Sequence, residues 1–193
     1  MATPGRPSLS AKVGGMLASA AVPRNRKPEA RHRFSHLDET GRAEMVDVSA
    51  KPVTRRVAEA SCRVRLAPAT ISRLRDLPKG DAFAVARLAG IQAAKRTADW
   101  IPLAHPLPLD QVEVSLEAGE AEVEVRSRVV ATARTGAEME ALVACAAAAL
   151  ALYDMVKAVE RGAVITELRL EAKSGGRSGP YRRAGEAASP GAG

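Results

Sequence analysis

The chain has 193 residues, 46% of them hydrophobic and 26% charged, which suits one soluble globular domain with tails. Its net charge of +7 invites a nucleic-acid partner, yet residues 34–173 carry 19 basic and 20 acidic residues, so the basicity sits in the tails and a concentrated basic face on the folded body is excluded. Two isolated cysteines, Cys62 and Cys145, exclude a disulfide or metal framework, and the longest apolar run, residues 141–153, falls short of the roughly 20 residues a bilayer span needs.

Residues 1–33 are rich in Pro, Ala, Arg and Ser without periodicity and read as a disordered basic tail. Their Arg-rich, acid-poor character also fits an organelle transit peptide, an alternative to a cytoplasmic protein. Residues 57–66 alternate loosely and read as a strand, and residues 67–76 as a short helix entered at Pro68. The dense apolar positions of residues 80–100 predict one buried helix of about five turns. Residues 111–117 and 121–132 alternate as strands, and the turn at 118–120 makes them an antiparallel hairpin. Residues 136–161, rich in Ala, Leu and Met, predict the longest helix. Thr135 as N-cap with Glu138 would complete a capping box, and Gly162 would close the helix. Residues 163–173 alternate as a last strand, and residues 184–193 read as a flexible tail.

The order strand, helix, strand, strand, helix, strand is the split βαβ pattern. It predicts an α+β, ferredoxin-like, four-stranded antiparallel sheet with two main helices on one face. The second helix is apolar on more than one side, which predicts packing against another subunit, with a plain bias towards Ala in the composition as the alternative. None of the four predicted strands carries Phe, Tyr or Trp, so a sheet that stacks RNA bases is a poor fit.

Several segments carry chemistry-bearing residues. His105 lies in a loop held stiff by Pro102, Pro106 and Pro108, and an imidazole titrates near neutral pH. The same His could simply brace the loop by hydrogen bonding. Asp154 and Lys157 share one helix face at i, i+3; such a pair is most often a surface contact of little consequence, whereas the apolar turns around this one favour partial desolvation, which would equip both for proton transfer. Lys173 leads into a Gly-rich stretch, SGGRSG, whose backbone N–H groups and Arg177 suit an anion, although a flexible lead into the tail fits the pattern equally. Together with Lys51 and Lys79 these residues suit acid–base chemistry on a polyanion.

The blocks MVDVSAK (45–51), KGDAFAVARLAGIQAAKRT (79–97), IPLAHPL (101–107), TGAEMEAL (135–142), YDMVKAV (153–159) and AKSGG (172–176) stand in this order, and together they resemble the hallmark blocks of the MoaC family. The resemblance spans about residues 34–183 and leaves the tails outside. It implies a ferredoxin-like subunit in a homohexamer, a trimer of dimers, with active sites at subunit interfaces. It implies a lyase of molybdenum cofactor biosynthesis that converts 3′,8-cyclo-7,8-dihydro-GTP, supplied by a radical SAM enzyme, to cyclic pyranopterin monophosphate and pyrophosphate. On the matching positions, Asp154, Lys157, Lys173 and His105 are the expected catalytic residues. Leu103, Ala104, His105, Met139, Glu140, Lys51, Lys79 and Arg177 are the expected substrate contacts. The family's usual Cys in the L-C-H-P loop is Ala104 here, which removes any thiol role at that position. No cofactor is expected, since the rearrangement is redox neutral; Mg²⁺ on the leaving pyrophosphate is compatible with it. A catalytically inactive, nucleotide-binding relative and a ferredoxin-like nucleic-acid-binding domain are the alternatives.

Overall fold

The computed structural model describes residues 40–184; the predicted tails at 1–33 and, apart from Ala184, at 184–193 lie outside the described residues. The elements run β1 (Thr54–Arg65), α1 (Pro68–Ile71), α2 (Ala82–Ala94), α3 (Thr97–Trp100), β2 (Leu109–Ala118), β3 (Glu122–Ala133), α4 (Glu138–Val156), β4 (Val164–Ser174) and β5 (Tyr181–Arg182). They form one sheet in the order β2-β3-β1-β4-β5, with every neighbouring pair antiparallel. The first four strands have the expected ferredoxin-like order. The short β5, which pairs Tyr181 with Lys173, extends the β4 edge and has no counterpart in the sequence reading.

Strand alternation decides which face is buried. Ala58, Ala60, Cys62 and Val64 of β1 and Val123, Val125 and Val129 of β3 point to the helices and are buried. The opposite face is a lattice of paired charges: Arg63 reaches Glu122 at 2.8 Å, Arg128 reaches Glu59 at 3.6 Å, and Arg169 reaches Glu171 at 2.6 Å. This alternation of signs matches the near-neutral composition of the body. A bulge in β4, with Glu167 at φ 54°, shifts its register against β1 between Ser61 and Arg63.

The helices differ from expectation at their ends. The predicted 80–100 helix is two pieces. Asp81 caps α2, its Oδ1 accepting from Phe83 N at 2.8 Å and Ala84 N at 3.2 Å. The helix stops at Ala94, whose carbonyl takes the Thr97 hydroxyl at 3.0 Å, and Arg96 leaves helical geometry before α3 begins. The capping box at Thr135 does not form: Ala137 is the N-cap and makes no side-chain bond. The Glu138 carboxylate turns instead to Lys173, 3.4 Å away. Nor does α4 run to Gly162. It ends at Val156, and the turn after it is tied down because the Glu160 carboxylate accepts from Ala67 N at 3.0 Å.

Helix α4 is apolar enough to suit a membrane span, with mean hydropathy 1.7, yet it is the core helix of the fold. It packs on the sheet through Ala141, Ala144, Cys145, Ala148 and Leu152, all fully buried. Its small residues let α2 approach closely. At Gly90 an added Cβ would lie 2.8 Å from the Ala144 carbonyl oxygen. Both cysteines are free and buried, and Cys145 Sγ lies 3.3 Å from the Ala60 carbonyl oxygen and 3.3 Å from Ser127 Oγ.

Candidate active site

Asp154 lies on the last turn of α4, one face away from the core. Its Oδ1 is 2.6 Å from Lys157 Nζ and its Oδ2 is 3.1 Å from Lys79 Nζ. Lys79 also donates to the Asp154 backbone carbonyl at 2.9 Å. The helix supplies Asp154 and Lys157 on one side; the tight turn between Leu77 and Gly80, ahead of α2, supplies Lys79 on the other. Gly80, at φ 98°, permits that turn. The Lys157 ammonium, then the Lys79 ammonium, hydrogen-bond the Asp154 carboxylate and hold it below its ordinary range; the same bond to Asp154 raises Lys157. Desolvation does not drive these shifts, contrary to the expectation from the apolar sequence: the two side chains are 55% and 52% exposed in the single chain.

A second group gathers at the other end of α4. Lys173, on β4, meets Glu138 in the first helical turn and donates to Ser178 Oγ. Met139 is exposed beside them, whereas Glu140 points inward and is buried. Burial pushes the Glu140 carboxyl up to about 7, with the neighbouring Glu138 charge adding to the rise.

His105 is half-buried in the 101–108 loop, whose first turn closes through Ala104 N and the Ile101 carbonyl at 3.0 Å. Ala104 therefore keeps the loop's backbone bond without a thiol. With Met45, Asp47, Ser49 and Arg134, His105 lines an open cavity of about 630 Å³. The Asp47 carboxyl is held low mainly by the Ser49 N–H at 2.8 Å and the Ser49 hydroxyl at 3.1 Å, with a smaller contribution from His105. Leu103 is half-buried in the same loop, and Lys51 and Arg177 are exposed. Lys51 N closes the turn back to the Val48 carbonyl at 3.0 Å.

The predicted residues thus fall into groups rather than one cluster. Lys79, Asp154 and Lys157 stand at the C-terminal end of α4; Glu138, Met139, Glu140 and Lys173 stand at its N-terminal end. Sixteen helical residues at 1.5 Å each separate Glu138 from Asp154, about 24 Å. Asp47 and Arg134 were not singled out in the sequence. Asp47 sits inside the MVDVSAK block and was legible as an Asx turn before a Ser; Arg134 carries no local signal, since only the fold brings it to the His105 loop. Among the described residues no group of three or more His, Cys, Asp or Glu is placed to hold a metal ion.

Residues 45–176 match the model of the MoaC family. The cyclic pyranopterin monophosphate synthase of Streptomyces griseus is 54% identical over 86% of this chain and 96% of its own length. Those of Thermomicrobium roseum and Parvibaculum lavamentivorans are 55% and 53% identical, each over 78% of this chain and 93% and 96% of their own lengths. The match covers both ends of α4, the His105 loop and the strand carrying Lys173, and with such identity over nearly the full length of its relatives this chain belongs to the MoaC family.

Proposed function

We propose that this chain is a phosphorus–oxygen lyase of molybdenum cofactor biosynthesis, converting 3′,8-cyclo-7,8-dihydro-GTP to cyclic pyranopterin monophosphate and pyrophosphate. The observation that carries the reading is the carboxylate of Asp154 clamped between two ammonium groups, in a chain more than half identical to proteins named for that synthesis. A carboxylate kept ionised beside protonated lysines is a base and two acids in one cluster, which proton shuttling requires.

The spacing along α4 implies a composite site. A stripe of exposed and half-buried residues runs down the helix through Met139, Leu142, Ala146 and Leu150 and ends at the exposed Asp154 and Lys157. Leu88 of α2 is also exposed, at 67%. Two copies packed through these faces, their α4 helices antiparallel about a twofold axis, set the N-terminal cluster of one against the C-terminal cluster of the other. One interface would then hold two complete sites, and three such dimers would make a homohexamer.

In each site the substrate's triphosphate, of about −4 charge by analogy with phosphate esters, is held by Lys51, Lys79 and Arg177. Leu103, Ala104 and Met139 line the base, while the Glu140 carboxyl, buried in the single chain, lies behind Met139 on the inward side of the first turn of α4. Asp154, Lys157, Lys173 and His105 move protons while the guanine-derived ring opens and the pterin ring closes. A ribose hydroxyl oxygen then bonds to the α-phosphorus, the bond to the bridging oxygen breaks, and pyrophosphate leaves with its charge stabilised by the lysines. No electrons are gained or lost, so no resident redox cofactor is invoked; a Mg²⁺ ion can accompany the pyrophosphate. The substrate comes from a radical SAM enzyme, and the cytoplasm is the expected compartment.

Incubating the purified chain with the cyclised nucleotide tests this. Stoichiometric pyrophosphate and pterin product are expected; release of neither, with the oligomer intact, overturns the reading.

A further inference from the structure

Arg56, near the start of β1, points to the helix side of the sheet and is 8% exposed. Its Nε donates to the Ala133 carbonyl at 3.4 Å and its Nη2 to the Arg134 carbonyl at 3.2 Å. The planar fork of a guanidinium can hold two successive carbonyls in this way, which an ammonium cannot. On its other side the chain after Lys173 lies directly against it. Gly175 and Gly176 have φ 90° and 81°. An added Cβ on Gly176 would run into Arg56 Nη1 and Cζ, and one on Gly175 into the Arg55 carbonyl oxygen. Gly176 is therefore required by Arg56 as well as by its positive φ, and Gly175 chiefly by the Arg55 backbone.

The two stretches that meet on Arg56 lead into functional groups. Residues 133–134 end β3 and feed the first turn of α4, which carries Glu138, Met139 and Glu140. Residues 174–176 continue from Lys173. Glu138 and Lys173 themselves are 3.4 Å apart, so a small slip of either backbone breaks their contact. Arg134 also lines the His105 cavity, which extends the same support to a third stretch.

We propose that Arg56 is a positioning residue whose guanidinium fastens the 133–134 backbone and seats the 174–176 backbone, holding Lys173 and the first turn of α4 in working register. This inference rests on the reading that those two stretches contact substrate. Arg56 touches none of the reacting atoms and acts through the backbones it fastens.

The test uses the assembled full chain and the cyclised nucleotide. In Arg56→Met, kcat is expected to fall about 100-fold, the loss that a misplacement of about 1 Å brings, with KM changed less than about threefold. Amide hydrogen exchange should accelerate together at 134–138 and 174–178 while the centres of β1 and β3 keep their protection. Arg56→Lys, which keeps charge and most of the volume, should recover only part of kcat.

Gly176→Ala supplies a second readout. Its backbone strain is present in any background, but its collision exists only while Arg56 is there. The double variant Arg56→Ala, Gly176→Ala should therefore lose less than the product of the two single losses. A kcat for Arg56→Met within about twofold of the unaltered chain, faster exchange in only one stretch, or strictly multiplicative losses would each overturn the proposal. If the unaltered chain itself releases no pyrophosphate, the functional reading fails; the exchange pattern still reports whether Arg56 fastens both stretches.

Discussion

Lys157 Nζ sits 2.6 Å from Asp154 Oδ1, one helical turn away on the exposed end of α4. The contact is too exposed to add much to stability, because solvent screens such pairs and ordering two side chains costs entropy. Its chemical consequence is larger. The two groups hold each other ionised across the range where the chain would work, which makes the free pair a weak base and a weak acid; a bound polyanion that draws the Lys157 ammonium to itself would loosen that hold and leave Asp154 a better proton acceptor.

Replacing Lys157 by Ala, or Asp154 by Asn, should therefore lower turnover by at least about 100-fold, the usual scale of a lost acid–base group. The thermal midpoint should stay close to that of the unaltered chain. Pyrophosphate release and a melting curve check the two halves; full activity in either variant removes that residue from the chemistry.

The pH range of this pair follows from its signs. Asp154 is lowered from 3.8, so its contribution is present above that value and is lost as pH falls through the depressed folded value. Lys157 is raised from 10.5, so its contribution is present below that value and is lost as pH rises beyond it. A chemical-shift titration of Asp154 Cγ should show no transition between pH 4 and 10, a range taken from the ordinary values for carboxyl and ammonium groups.

A composite site makes a sharper demand. Lys157→Ala and Lys173→Ala chains should each be inactive alone. Mixed after subunit exchange at equal amounts, half of the dimers pair unlike chains, and each of these holds one site with both lysines. Recovery of about a quarter of full activity is expected from that twofold geometry. No recovery, with mixing verified by mass spectrometry, would mean that both lysines serve from one chain.

Glu140 sets a pH dependence of stability with the opposite sense from Asp154. Burial lifts its folded value to about 7 from 4.5. Below 4.5 both folded and unfolded chains are protonated there. Between 4.5 and about 7 only the unfolded chain ionises, so stability falls as pH rises through that window and levels off above it. Glu140→Gln cannot ionise and should gain more at pH 8 than at pH 5 relative to the unaltered chain. Urea midpoints at the two pH values measure this; equal shifts would mean that Glu140 is solvated in the assembly.

Gly90 tests the helix contact that shapes the subunit. Alanine there would gain about 1 kcal/mol of helix propensity. The Cβ, however, would meet the Ala144 carbonyl oxygen at 2.8 Å and Val114 Cγ2 at 3.1 Å, and a backbone carbonyl inside a helix cannot move aside. Gly90→Val, which adds two methyl groups and gains less propensity, should cost about 1–3 kcal/mol in denaturant unfolding. A neutral or stabilising result would show that α2 and α4 can separate freely.

The sequence by itself determined the order of the four long strands and the two main helices, and the face that the β2–β3 hairpin buries, because period-two alternation over 112–116 and 123–129 leaves one register that hides the valines. It also determined the chemical groups, since Asp154 and Lys157 at i, i+3 must share a helix face whatever surrounds them. Helix ends were less legible. The Thr97 hydroxyl on Ala94 and the Glu160 carboxylate on Ala67 stop α2 and α4 through local and distant hydrogen bonds that compete with helix propagation. Only the tertiary structure decided where the chemistry is divided. A rigid helix of 19 residues keeps Glu138 and Asp154 apart by its length, so the two groups of charged residues stand at opposite ends of α4. And only folding brings Arg56 beside Ala133, Arg134 and Gly176, residues far from it in sequence, because a buried guanidinium must find acceptors and the chain leaving β3 supplies two carbonyls.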